Sequence, residues 1–231
     1  MLDYIENNVV FSVLISLGAF FIGQIINKRL KHPIFNPFLI AISLIMIILK
    51  ATGLSYEVYK DQSAVLSILL GPATVALAIP LYKNIDILKT NFKAIFIGII
   101  AGVTASISSV MGIGYLLGTQ KEIVYSLAPK AVTIPIAIEV SRVIGGIPSL
   151  TAGLVTITGV FGACFAPEIL RFFNIKSAVA KGIAIGTTTH ALGTSRAFQE
   201  GEIEGAMSSL AIGIAGVATA FVVPFMAHMF Q

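Results

Sequence analysis

Tryptophan is absent from this chain, cysteine occurs once, and charge is scarce. Asp, Glu, Lys and Arg make up 11% of the 231 residues, against roughly 25% in ordinary soluble domains. A soluble chain of this size cannot cover its surface with so few charges. The lone Cys164 excludes an intramolecular disulfide and a thiolate metal site, and it reads as a small packing residue in an apolar run. No Asp falls inside an apolar block. The patterns H-E-x-x-H and G-x-S-x-G and a phosphate-binding glycine loop are missing. Nothing in the sequence supports an enzyme, a cofactor or a bound metal.

What is present is long apolar sequence, with a mean hydropathy of +0.94. Residues 8–27, 33–49, 62–82 and 94–120 carry no charge. Each block reaches or approaches the roughly 20 residues that cross a hydrocarbon core. Met1 to Asn8 holds Asp3 and Glu6 but no Lys or Arg, unlike a secretory leader. The first segment is therefore expected to be a retained membrane helix. Eight apolar segments are expected, at about 8–27, 33–50, 63–82, 92–118, 123–144, 149–170, 178–198 and 205–229. The fold class is an all-α polytopic membrane protein.

The net charge of +4 sits at the ends of apolar blocks, as the positive-inside rule requires, so nucleic acid is not the partner. Lys28, Arg29, Lys31, Lys83, Lys89 and Lys93 place the loops at 28–32 and 83–93 in the cytoplasm and the N-terminus outside. In the second half, eight full spans would leave Arg171, Lys176 and Lys181 outside. That conflict disappears if a segment there is re-entrant.

The halves look related. A shift of 115 residues lays Pro33 on Pro148, Leu39 on Leu154, Ile42 on Ile157, and Gly71, Ala76 and Leu77 on Gly186, Ala191 and Leu192. The expected units are 1–115 and 116–231, two related halves with interrupted helices, as in secondary transporters.

Three segments carry residues that a plain spanning helix avoids. The third holds Gly71, Pro72 and Thr74. The fifth holds Pro129, Lys130, Thr133 and Pro135, followed by Glu139 and Arg142 at an i,i+3 spacing that lets them pair. The seventh runs through Thr187, Thr188, Thr189, His190, Gly193 and Thr194. Proline frees backbone carbonyls that lipid cannot satisfy, and a charge at the bilayer centre must face protein or water. Each feature also has a plain structural reading. Pro72 suits a simple kink, Lys130 could snorkel to an interface, Glu139–Arg142 could be an ordinary ion pair, and Gly98-x3-Gly102, Gly114-x3-Gly118 and Gly182-x3-Gly186 fit close helix packing. The functional reading is a carboxylate site where Lys130, Thr133, Thr74 and the Thr187–His190 stretch converge. A half-helix would begin at Lys130 after Pro129, and a second near Gly71-Pro72. His190 and Glu139 are the ion-coupling candidates.

Four stretches resemble hallmarks of the LrgB/CidB family, in the family's order and spacing over nearly the whole chain. They are Leu69 to Tyr82, Ala128 to Pro135, Gly145 to Ala152, and Gly186-Thr187 through His190, Gly193 and Thr194. Ala191 stands where that family usually shows glycine. The resemblance implies one of two roles. Bacterial members are described as antiholin-like or holin-like proteins that affect murein hydrolase export and autolysis. Plastid relatives carry glycolate and glycerate, and bacterial relatives have been linked to pyruvate. It also implies a small LrgA-type holin-like membrane partner, expected here as a separate chain. The expectation is an ion-coupled (H+ or Na+) transporter of small monocarboxylates in a bacterial cytoplasmic membrane, assembling as a homo-oligomer. The alternative is an antiholin-like regulator of a holin-type pore.

Overall fold

The structure, a computed structural model, describes residues 9–30 and 35–229. Expectations that fall on Met1–Asn8, Lys31, His32 and Pro33 lie outside the described residues. Helices and connecting turns account for all regular structure among the described residues, with no strand, as the composition required. The chain forms two compact units, Met1–Ala76 and Leu77–Gln231. That boundary marks where contacts thin out, a different property from the repeat boundary expected near residue 115.

The first unit contains α1 (Val9–Leu30), α2 (Pro37–Thr52), α3 (Tyr56–Gln62), α4 (Ala64–Ile68) and α5 (Leu70–Ala76). Pro37 opens α2, and the Asn36 side chain accepts from the Phe38 N–H as its cap. Gly53 ends α2 at φ 74°, a left-handed geometry that glycine adopts without steric penalty. α2 and α3 meet at a bend of 118°. α3 is tied to α1 by Tyr59 Oη and Ser16 Oγ, 2.7 Å apart.

The second unit contains α6 (Ala78–Lys83), α7 (Ile85–Leu116), α8 (Lys121–Leu127), α9 (Ile134–Ile144), α10 (Pro148–Phe172), α11 (Ala178–Glu200) and α12 (Glu202–Met229). Its core follows from spacing. Ile95, Ile99, Val103, Ile107 and Met111 recur every four residues of α7 and are buried. They pack in one cluster with Ala206, Met207, Ala211, Ala215 and Ala218 of α12. Small side chains on α12 let the helices approach closely, which is what favours helix association inside lipid.

Two segments expected to span the membrane turn back instead. The α8–α9 pair is the first. A Cβ on Gly114 of α7 would lie 2.5 Å from Val124 of α8. Lys130, in the turn after α8, donates to Ser106 Oγ at 3.1 Å. Gly114 and Ser106 are two turns apart, so the chain has descended about 12 Å along α7. α9 then climbs back, and the Ile147 N–H donates to Ser126 Oγ of α8 at 2.7 Å.

α11 is the second. Gly182 and Gly186 pack on the α12 backbone at Glu204 and Ser208, so the first arm (178–189) runs parallel to α12. At His190 the backbone leaves helical geometry, with φ 46° and ψ −143°. The second arm (191–200) runs back. Thr194 Oγ1 lies 2.7 Å from Ser208 Oγ, and Gly205 packs on Phe198. Both ends of α11 therefore lie at the same end of the unit. Arg171 at the end of α10 binds Glu200 at 2.7 Å.

The expected count of about eight spans is thus not what the helices show. Four are long and apolar enough to cross alone: Val10–Leu30 (within α1), α7, α10 and α12; the bent α2–α3 pair would make five. The reversals also place the charges. Lys83 sits 3.9 Å from Glu202, so the starts of α7 and α12 share one end. Lys89, Lys93, Arg171, Lys176, Lys181 and Arg196 lie at or near that end, and Lys121 and Arg142 toward the other. The α8–α9 reversal brings Arg171, Lys176 and Lys181 to the end that holds Lys89 and Lys93, and the α11 reversal keeps Arg196 there, the clustering that the positive-inside rule expects of a cytoplasmic face.

Candidate functional site

The two hairpins enter from opposite ends, and their tips meet α10 at one residue. Val132 of the first tip packs against Val155. His190 of the second tip holds the Val155 carbonyl through Nε2 at 3.1 Å. A carbonyl only accepts, so Nε2 carries the proton and Nδ1 is left to accept or to take up a proton. Gly159 makes room for the ring, since a Cβ there would lie 2.5 Å from His190 Cε1.

The first tip is the turn at 128–133. The Lys130 N–H bonds Leu127 O, and the Val132 N–H bonds Pro129 O. The sequence reading began a half-helix at Lys130, but α9 begins at Ile134. Pro135 is the proline in its first turn, and Thr133 is its extended N-cap, at φ −63° and ψ 147°. Pro135 suits that turn because it has no N–H to leave unpaired. Pro129 is instead fully buried in the turn. Half-buried Thr133 makes no side-chain cap bond, so the positive end of α9 points into the tip.

The threonines at the second tip divide by partner. Thr188 and Thr189 donate to the carbonyls of Ala184 and Ile185 one turn back, at 2.7 and 2.6 Å. Thr194 donates to His190 O. Gly193 packs on Thr189 across the tip. Thr187 differs. Its Oγ1 is buried and has no hydrogen-bond partner. A Cβ on Gly102 of α7 would lie 3.1 Å from Thr187 Cγ2. Gly102 and Ser106 are one turn apart, so Thr187 and Lys130 sit on neighbouring turns of α7, about 6 Å in rise.

A cleft of 470 Å³ lies between α7 and the first arm of α11, with Thr187 and Thr188 at one end and Asn91 and Ser177 at the other. A smaller space of 290 Å³ lies on the other side of that arm, against α10.

The remaining candidates lie on other elements. Gly71 and Pro72 lie in the first turn of α5 in the other unit and are exposed. The third segment is interrupted on either side of them, at Leu69 and Leu77, and Pro72 sits in the first turn of α5, where helix N–H groups are unpaired anyway. Thr74 lies in the same short helix. Glu139 is exposed and bound by Arg142 Nη1 at 2.7 and 2.8 Å, an ion pair on α9 away from the tip. Sequence reasoning missed Ser106, the Val155 carbonyl and Ser208, whose roles depend on contacts between distant segments. It also missed a charge cluster at the basic end. There Arg196 lies 3.6 Å from Glu168 and 3.3 Å from Glu200, and Arg171 binds Glu200. No group of three His, Cys, Asp or Glu residues fit to hold a metal occurs among the described residues.

Spanning helices with two opposed hairpins, buried polar tips and a cleft beside one of them define a polytopic α-helical membrane protein with a polar centre. Within that class the chain belongs to the LrgB-like family, whose profile matches residues 16–229. The antiholin-like protein LrgB of Bacillus cereus strain B4264 is 36% identical over 93% of this chain and 94% of its own length. The antiholin-like protein LrgB of Bacillus anthracis strain A0248 matches equally well. No solved structure matches.

Proposed function

We propose that this protein is an antiholin-like component of a bacterial cytoplasmic membrane, acting on a holin-type pore that governs murein hydrolase export and autolysis. The end-to-end likeness to proteins of that name supports this reading. The pore would be a small LrgA-type membrane protein. A face of α12 exposing Val217, Phe221 and Phe225 at four-residue spacing suits lipid or such a partner. In a bacterium lacking the gene, autolysis should rise, and the wild-type gene should restore it. An unchanged rate of autolysis would count against this role.

A second reading is favoured by one observation, the meeting of two hairpin tips at the centre of the helical unit. A protein that only touches a pore needs packing surfaces. It has no need to gather a half-buried lysine, a buried histidine and a buried unpartnered hydroxyl where two hairpin tips meet. The N-terminal ends of α9 and of the second arm of α11 both point at the tips and carry partial positive charge. Lys130 adds a full one. Together they suit a small monocarboxylate of the glycolate, glycerate, lactate or pyruvate type. His190 Nδ1 suits a coupling proton, since an unperturbed imidazole titrates near pH 6.5. Purified protein in liposomes should take up such labelled acids, faster with a proton gradient. Uptake no greater than in empty liposomes, for all four acids, would rule this reading out.

A further inference from the structure

We propose that the cleft between α7 and the first arm of α11 is a water-filled vestibule, open at the basic end, that draws anionic solutes to Thr187. Its use in transport rests on the second reading above, but its existence does not. Four observations carry it. First, the cleft has a direction. Thr187 presses on Gly102 at its floor, and Asn91 and Ser177 line its far end. Both helices start at the basic end, so the cleft opens there. Second, its floor is polar and unsatisfied. Thr188 and Thr189 bond back to their own helix, whereas buried Thr187 does not. Neither lipid nor the surrounding helices give that enclosed hydroxyl an acceptor, and a solute oxygen passing the Gly102–Thr187 contact would.

Third, small residues leave room. Ala94 and Gly98 of α7 and Ala180 and Ala184 of α11 line the cleft beside the larger Ile95, Val179 and Ile183, and 470 Å³ falls in the size range of small-molecule sites. Fourth, the mouth is positive. On the chain that leads into its two walls, Lys89, Lys93, Lys176 and Lys181 outnumber Asp86, while Glu168, Glu200 and Glu202 at the same end are paired with Arg171, Arg196 and Lys83. Ser177 caps the α11 N-terminus, its Oγ accepting from the Ala180 N–H, which adds the positive end of that helix. The floor stops one turn short of Lys130, so Gly102 and Thr187 form the constriction between vestibule and lysine.

The test reads thiol chemistry, not transport. With Cys164 replaced by serine, Gly98→Cys puts one thiol in the wall, where a Cβ meets nothing within 4 Å. Val217→Cys, at similar depth on the exposed face of α12, is the lipid-facing control. The probes are a sulfonate-bearing and a trimethylammonium-bearing methanethiosulfonate. They are applied to inverted membrane vesicles and to right-side-out spheroplasts. Gly98→Cys should react in inverted vesicles at least about tenfold faster than Val217→Cys, and not from the outer face. The sulfonate should react faster than the cation, after correction for their rates with free thiol. Ala94→Cys, in the same wall, should behave alike and covers failure of the first variant to fold. Reaction no faster than the control would mean a lipid-filled groove and overturn the proposal. Equal reaction from both faces, or preference for the cation, would overturn it as well. Labelling as expected without uptake of any acid would leave the vestibule standing and remove the transport reading alone.

Discussion

The two hairpins reach the same depth by different means. In α8–α9 the reversal is spread over the turn at 128–133, with a proline buried in the turn and another in the first turn of the returning helix. In α11 it falls on one residue, His190, which holds φ 46° with a side chain attached. The first is written in local sequence, because prolines and a charge forbid an unbroken helix. The second is imposed by surroundings. Thr187 to Thr194 has no proline and could continue as a helix. It reverses because glycines on both sides let it. Gly182 and Gly186 bring the first arm onto α12, and Gly159 and Gly162 open α10 to His190 and Thr189. A proline-built tip should thus tolerate changes in its neighbours, whereas a packing-built tip should fail when its neighbours grow.

The largest effect to expect separates the tips by chemistry. Lys130→Met keeps most of the side-chain length and removes the charge. Liposome uptake should fall more than about tenfold while folding and membrane insertion persist, and restoration of autolysis should be unaffected. Wild-type uptake in that variant would return Lys130 to a snorkelling interfacial charge. Next comes packing. Gly162→Val pushes into Thr189 and should destabilise by about 1–3 kcal/mol, as overpacking generally does, lowering the melting temperature. The same change at Gly153 of α10, where a Cβ meets nothing within 4 Å, should leave it nearly unchanged. Similar losses at both positions would mean that the second tip is not held by its neighbours.

A smaller effect tests the strain. His190→Ala loses the Val155 bond and keeps a side chain at positive φ. His190→Gly loses the same bond but releases the strain, so it should be more stable than the alanine variant by about 1 kcal/mol. Thermal denaturation of the two in detergent decides, and a less stable glycine variant would show that the backbone there is unstrained. The smallest effect concerns the anchor that only the second hairpin has. Arg171–Glu200 ties α11 to α10 near the surface, whereas Glu139–Arg142 lies within α9. Arg171 is largely exposed and Glu200, though mostly buried, keeps Arg196 as a second partner, so Arg171→Gln should change stability by about 1 kcal/mol or less. Its difference from wild type should shrink in high salt. A loss that persists in salt would mark the pair as more than a surface contact.

Much of this was legible in the chain. Scarce charge and long apolar blocks fixed an all-helical membrane protein, since only internal hydrogen bonding satisfies a backbone in lipid. Lys130 among prolines, and threonines around a histidine, marked the tips before any contact was known. Hydropathy cannot show direction, however. A block long enough to cross and a block that turns back halfway have the same composition. The misplaced basic residues Arg171, Lys176 and Lys181 were the one sign of a reversal. Only tertiary contacts decided which residues reverse, that both tips reach Val155, that Glu139 is exposed, and that Thr187, unlike Thr188, Thr189 and Thr194, keeps a buried hydroxyl without a partner. The physical reason is that each depends on where a glycine far along the chain leaves space, and a side chain's partner is set by that space as much as by its own chemistry.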